Sequence, residues 1–306
     1  MSMPRIVVAA HKPYSMPADP VYLPLQVGAS GHEPISGFAR DDEGDNISSR
    51  NARWCELTGL YWAWKNLEAD AVGLVHYRRH FKGVSGIATG AELSALLDRH
   101  DAILPKPRNY FIESTYSQYA HAHHAQDLDV TRTILARNHP ECLASFDAVM
   151  KSTRGHRFNM FVMKRALFDA YCAWLFDVLF ELERQLDISA YSSYDARVFG
   201  FVGERLLDVW LDGTPEGRSA RIVEMPVLHL ESQCWPKKVV RFLCRKFFSK
   251  SGLRDMARNV MMHFDWRVVL GLLVVAVILG ALNNLRVFEE QRVEWFGGPV
   301  AGGMEE

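Results

Sequence analysis

The chain has 306 residues, with 35 Lys+Arg against 36 Asp+Glu, 48% apolar residues and 23% charged ones. That length holds one large domain or two modest ones, and the composition excludes a mostly disordered, collagenous or fibrous chain. A formal net charge of −1 argues against a nucleic-acid binder, which usually carries a basic excess. Cys55, Cys142, Cys172, Cys234 and Cys244 are scattered and never form a CxxC pair. They offer neither a disulfide framework nor a zinc knuckle and suit a reducing compartment. The N-terminus lacks the basic start and apolar run of a signal peptide, which places the bulk of the chain in the cytoplasm.

In chain order, Ile6–Ala10 is a short apolar strand stopped by His11-Lys12-Pro13. A Pro/Tyr/Gly-rich loop follows to about Gly37, then the polar cluster Asp41–Asn46. Ser48 or Ser49 caps an expected helix to about Leu67, with Trp54, Leu57, Tyr61 and Trp64 along one face. Ala71–Val75 is a second buried strand, ending abruptly in His76-Tyr77-Arg78-Arg79-His80. Thr89 and Glu92 fit a capping box for a short helix to about Arg99. Ala102–Leu104 reads as a third strand, and residues 114–150 as helix with its clearest break at Pro140. Met160–Met163 is a fourth strand, leading into a helix marked by Leu167, Tyr171, Trp174, Leu175, Val178, Leu179 and Leu182. A further helix covers about Val202–Leu211, and Ile222–Leu230 is a final strand.

Strands alternating with helices predict an α/β domain with a mainly parallel sheet. Ligands of such sheets sit at the carboxyl ends of the strands. This singles out His11 and Lys12, His76 to His80, Lys164 and Arg165, and the residues after Leu230. Arginine forks bind phosphate oxygens, so the strand end carrying His76, Arg78 and Arg79 fits a nucleotide diphosphate. The plainer alternative is a solvated turn with one structural ion pair. His11 and Lys12 on the same edge would serve the same anion. The Asp41–Asn46 loop either binds a metal or sugar hydroxyls, or merely caps a helix; it is no EF-hand. Asp127-Leu128-Asp129 has a bare D-x-D spacing but follows no strand, so Asp127 or Asp129 reads as a helix start. His121, His123 and His124 read as surface helix residues, without the spacing of a metal site. Glu204, Asp195 and Asp42 are candidate general bases. No nucleophile elbow, Walker or dinucleotide fingerprint occurs.

Residues 237–258 hold eight basic residues and one acid, interleaved with Phe242, Leu243, Phe247, Phe248 and Leu253. Such a basic amphipathic helix reads as a membrane-surface segment. Val268–Leu282 then has fifteen residues without a polar side chain. Eighteen helical residues would span about 27 Å, close to a hydrocarbon core of about 30 Å. The alternative is a buried core or oligomer-packing helix. With Trp266, Arg267 and the basic helix before it and an acidic segment after it, the positive-inside rule puts the main domain on the cytoplasmic side.

Several segments together resemble a known family. They are Val7–Lys12, Gly44–Ser48, Cys55–Asn66 and Gly73–Phe81, continued by Asn159–Phe161, Tyr171–Phe176 and Gly203–Leu207. The family is bacterial, long catalogued as a domain of unknown function and found in capsule, exopolysaccharide and O-antigen gene clusters. The resemblance covers about residues 4–235. It implies a glycosyltransferase with a GT-A-like fold, moving a sugar from a nucleotide-sugar donor, a UDP-sugar above others, to a lipid-linked glycan. Need for a divalent metal stays open.

On this reading residues 1–236 form the catalytic domain, 237–265 a membrane-surface helix, 266–285 a transmembrane or membrane-inserted helix and 286–306 an acidic tail. The expected location is the cytoplasmic face of the bacterial inner membrane. His11 and Lys12 would contact the nucleotide or diphosphate, Arg78 and Arg79 would stabilise the leaving group, and His76 would assist them. Asp42, Asp45 and Asn46 would hold sugar or ribose hydroxyls, and Glu204 would be a base or acceptor-binding carboxylate. The competing class is a non-catalytic membrane-bound scaffold of a polysaccharide assembly complex, and a weaker third reading is a phosphate-cleaving hydrolase.

Overall fold

The computed structural model describes residues 3–231 together with Gly271. The chain divides into two units, Met1–Ser232 and Gln233–Glu306. The expectations for residues 237–306 lie outside the described residues, apart from Gly271. Among the described residues, no helix is long and apolar enough to cross a membrane.

The apolar run after Arg5 forms β1 (Arg5–Ala10), buried from Ile6 onward. The region read as loop holds two more strands, β2 (Tyr22–Gln26) and β3 (Ala39–Arg40). Pro24 hid β2, yet the ladder tolerates it. Val27 N–H donates to the Ala10 carbonyl, so by alternation the Pro24 nitrogen faces away from β1, on the side where β3 pairs only from Leu25 onward. The single helix expected over 48–67 is broken into a 3-10 turn at Ser48–Arg50, α1 (Asn51–Trp54) and α2 (Leu57–Asn66). The break is Cys55, at φ 53°.

β4 (Ala71–His76), β5 (Arg79–Gly83) and β6 (Gly86–Ile87) follow. The Thr89–Glu92 capping box opens α3 (Gly90–Leu97) as predicted. β7 (Ala102–Pro105) and β8 (Arg108–Asn109) precede α4 (Thr115–Ala122), α5 (Ala125–Asn138) and α6 (Leu143–Lys151), with a 3-10 turn starting at Pro140. Next come β9 (Arg154–Gly155), β10 (Phe161–Lys164), α7 (Arg165–Gln185), α8 (Val198–Gly213) and α9 (Pro215–Ser219). The expected final strand is two, β11 (Ile222–Met225) and β12 (Val227–His229), separated at Pro226.

The sheet runs β11-β7-β10-β4-β1-β2-β3. Along this path every neighbouring pair is parallel except those of β10, which is antiparallel to both β4 and β7. Off it, β5 pairs antiparallel with β4, β6 and β12. The mainly parallel sheet is therefore present along the path, with one reversal. That reversal puts Lys164 and Arg165 at the edge opposite the other strand ends, correcting their grouping with His11 and His76. There Lys164 pairs with Asp101 at 2.9 Å, and Arg165 N–H donates to the Asp70 carbonyl.

Strand side chains alternate between two cores. Val7, Ala9, Val72 and Leu74 pack with α2, α7 and α8; Ile6, Val8, Ala71 and Val75 pack with α3 and β5. The expected apolar stripe of α7 lies within the first core. Gly73 makes this close layering possible, because a Cβ there would lie 2.9 Å from the Phe161 carbonyl oxygen.

Candidate active site

The parallel pairing of β1 with β4 sets Ala9 opposite His76, and Tyr77 N–H donates to the Ala9 carbonyl. His11 and Lys12 thus emerge beside Tyr77, as the sequence predicted. The buried Tyr77 ring is a hub. His11 meets it edge-on at 5.4 Å between centroids, Lys12 Nζ lies 5.7 Å from its centroid and Arg78 Cζ 5.0 Å. Burial lowers the His11 pKa, and the charges of Arg78, Lys12 and Arg197 lower it further. A neutral His11 beside cations leaves the positive charge to the lysine and arginines.

His76 and Arg79 face each other across a two-residue turn, so Arg78 points out while Arg79 turns inward. The exposed Arg78 pairs with Glu231 at 3.3 Å. Leu230 N–H donates to the Arg78 carbonyl, so the chain after the final strand does reach this edge. Among the described residues the Arg79 guanidinium has no hydrogen-bond partner, and it stacks on Phe158 with Cζ at 4.5 Å. Arg108 covers the same ring at 5.5 Å. Burial lowers the Arg79 pKa, while Glu204 and Glu56 oppose that shift. Arg79 is thus a desolvated guanidinium with open donors and two carboxylates close enough to act on it.

The floor comes from residues that sequence reasoning did not select. The His76 imidazole hydrogen-bonds through Nε2 to the Phe158 carbonyl at 2.6 Å and lies 3.9 Å from Glu56 Oε1. Asn159 Nδ2 donates to Glu56 Oε1 at 2.6 Å and to the Gly200 carbonyl at 3.2 Å. Arg197 Nε donates to Cys55 Sγ at 3.1 Å. Burial pushes the Cys55 thiol up to about 11, so it stays protonated near neutral pH. Cys55, Phe158 and Asn159 all have positive φ, at 53°, 82° and 49°. Non-glycine residues pay for such backbone, and they cluster where side chains must be aimed. The available signal was that Cys55-Glu56 and Asn159 lie within the blocks carrying the family resemblance. Glu204 projects from α8 near Arg79, with the Arg205 guanidinium 3.4 Å away.

The acidic loop starts at the same carboxyl edge, directly after β3, but the contacts of its side chains are with its own neighbours and α2. Asp42 is held by Arg40 at 2.7 Å, and the Asn46 side chain donates to the carbonyls of Asp42 and Gly44. Asp45 accepts from Tyr61 and is tied through its backbone to Asn66, at the end of α2. The buried member is Asp41, which accepts from Gly28 N–H, Ala29 N–H, Ser48 and Thr58. Thr58 and Asn66 are eight residues apart, about 12 Å along the helix, so the loop descends α2 away from the strand ends. None of these side chains caps a helix: the turn at Ser48–Arg50, α1 and α2 all lack a side-chain cap, and the loop is held by Asp41 and Asn66 instead.

Among the described residues, no group of three or more His, Cys, Asp or Glu side chains is placed to hold a metal ion. Asp127 opens α5 as expected, but it is buried and accepts from Tyr119 and Tyr191 at 2.6 Å each. The histidines before it are not plain surface residues. His121 binds buried Glu113, His123 lies against Phe201 and contacts Asp195 at 3.3 Å, and His124 stacks on Tyr191. Asp195 is engaged with His123 and Ser192 rather than open as a base.

This mixed α/β fold, mainly parallel along its sheet, resembles that of a solved glycosyltransferase. The family model described as a domain of unknown function (DUF4422) matches residues 5–215, and the chain belongs to that family. A solved structure described as the apo form of the bifunctional glycosyltransferase WbbM is similar, with a TM-score of 0.70 and 26% sequence identity. The match covers 76% of this chain and 46% of that one, so the chain spans less than half of its structural relative. No protein of curated function matches the chain.

Proposed function

We propose that the protein is a glycosyltransferase that moves a sugar from a nucleotide-sugar donor, a UDP-sugar first among candidates, to a lipid-linked glycan in bacterial surface polysaccharide synthesis. One observation carries this reading. His11, Lys12, Arg78, Arg79 and Arg108 gather around two aromatic rings at one sheet edge, with Glu56 and Glu204 beside them. The likeness to a glycosyltransferase structure supports it.

In the proposed reaction an acceptor hydroxyl oxygen bonds to the anomeric carbon. The bond from that carbon to the diphosphate oxygen breaks, and its electron pair passes to the diphosphate. Arg79 and Arg108 stabilise that developing charge, with Lys12 and Arg78 holding the nucleotide side. His76, locked against the Phe158 carbonyl, positions the Phe158 ring on which both arginines rest. Glu204 accepts the acceptor proton, and Glu56 orients Asn159 and the strained segment. The basic and apolar segments after residue 237 would hold this site at the cytoplasmic face of the inner membrane.

Thermal unfolding with UDP, GDP and CMP, paired with a donor-consumption assay, tests this reading. At least one nucleotide should raise the melting temperature, and donor consumption should require acceptor. Stabilisation by none of them favours the scaffold, and consumption without acceptor favours a hydrolase.

A further inference from the structure

The loop after β8 carries a second feature, next to the strand-end site to which β8 contributes Arg108. Tyr110 N–H donates to the Thr153 carbonyl, Phe111 N–H to Asn109 Oδ1 at 2.7 Å, and Ile112 N–H to the Tyr110 carbonyl at 2.6 Å. The last bond closes a γ-turn around Phe111, whose φ is 57°. A positive φ at the centre of a γ-turn is rare and strained, and unusual for an aromatic residue. The turn ends firmly: Glu113 is buried against His121, and Ser114 caps α4. Phe111 is nevertheless 80% exposed and Ile112 50% exposed. Folding gains little from holding a phenyl ring outward in a strained turn, so the conformation points to a contact outside the unit.

The charge around this tip identifies the contact. Lys106, Arg108, Lys151 and Arg154 are all exposed, and β8 pairs with β9 so that Asn109 faces Arg154. Residues 105–112 and 151–157 contain no acidic residue. An aromatic and a β-branched side chain projecting from a basic collar match the interfacial region of an anionic bilayer. A soluble polyanion would satisfy the cations and leave the apolar tip in water.

We infer that Phe111 and Ile112 insert into the headgroup region of an anionic membrane while Lys106, Lys151 and Arg154 contact its lipid phosphates. This contact belongs to the first unit and adds to any made by residues beyond 237.

Hydrogen exchange of the full chain tests it, with vesicles of phosphatidylethanolamine and phosphatidylglycerol compared with phosphatidylcholine alone. Amides 110–113 should exchange more slowly on the anionic vesicles, by about tenfold, and keep their free rate on the neutral ones. Phe111→Ser should remove that protection and leave the melting temperature unchanged. Three results would overturn the inference: chain that sediments with anionic vesicles without protection at 110–113, chain that does not sediment at all, or equal protection without vesicles. The last would mean that another segment or a second copy covers the tip.

Discussion

Arg79 carries its charge where water reaches it poorly, on the Phe158 ring with Glu204 and Glu56 nearby. A guanidinium in that setting is worth more to a developing anion than one in bulk solvent. Arg79→Ala should lower kcat by about a hundredfold without moving the melting temperature. Arg79→Lys should recover only part of the loss, because lysine keeps the charge but not the planar fork. Near-wild-type turnover in both would remove the leaving-group role. The two carboxylates make a similar contrast. Glu204→Gln should lower kcat by about 10²–10³-fold. Glu56→Gln keeps a hydrogen-bonding oxygen for Asn159, so it should cost less. Equal losses of kcat in the two variants would contradict this division. His11, Lys12, His76, Arg78 and Arg79 were legible because each follows an apolar run that has to be a strand. Glu56, Arg108, Phe158 and Asn159 were not, because they reach the site from breaks and loops that show no periodicity.

The segment between β9 and β10 aims Phe158 and Asn159, and its hold comes from His156 and Arg157. His156 Nδ1 lies 2.5 Å from Asp208 Oδ1 and Nε2 lies 3.4 Å from Glu224, while Arg157 Nη1 reaches Asp208 Oδ2 at 3.3 Å. Burial opposes protonation of His156, but Asp208 and Glu224 outweigh it and raise its pKa above 6.5. A raised folded pKa gives stability that is full below pH 6.5 and is lost as pH rises through the folded value. Unfolding free energy measured across that range should fall in the wild type and stay flatter in His156→Gln. Equal slopes would separate the histidine from the effect. Asp208→Asn should cost about 3 kcal/mol, because it leaves a buried arginine without its ion pair. At this scale the helices announced themselves through periodicity and the Thr89–Glu92 box. The reversal of β10 did not, since a four-residue buried strand reads the same in either direction. Only its place between β4 and β7 decides which edge Lys164 occupies.

For the whole molecule, the formal net charge of −1 is an average over segregated regions. Basic residues concentrate after residue 237. Within the first unit others gather at the strand-end edge, where Glu56, Glu204 and Glu231 also sit. A nearly neutral chain can in this way concentrate cations at the edge proposed to hold the donor. The direct measurement is a calorimetric titration of UDP, GDP and CMP into the full-length wild type and the Arg79→Ala variant. The proposed site predicts that at least one nucleotide binds the wild type and binds the variant about tenfold or more weakly. No binding by any nucleotide, or equal affinity for both proteins, would contradict the assignment of the strand-end cations to the sugar donor.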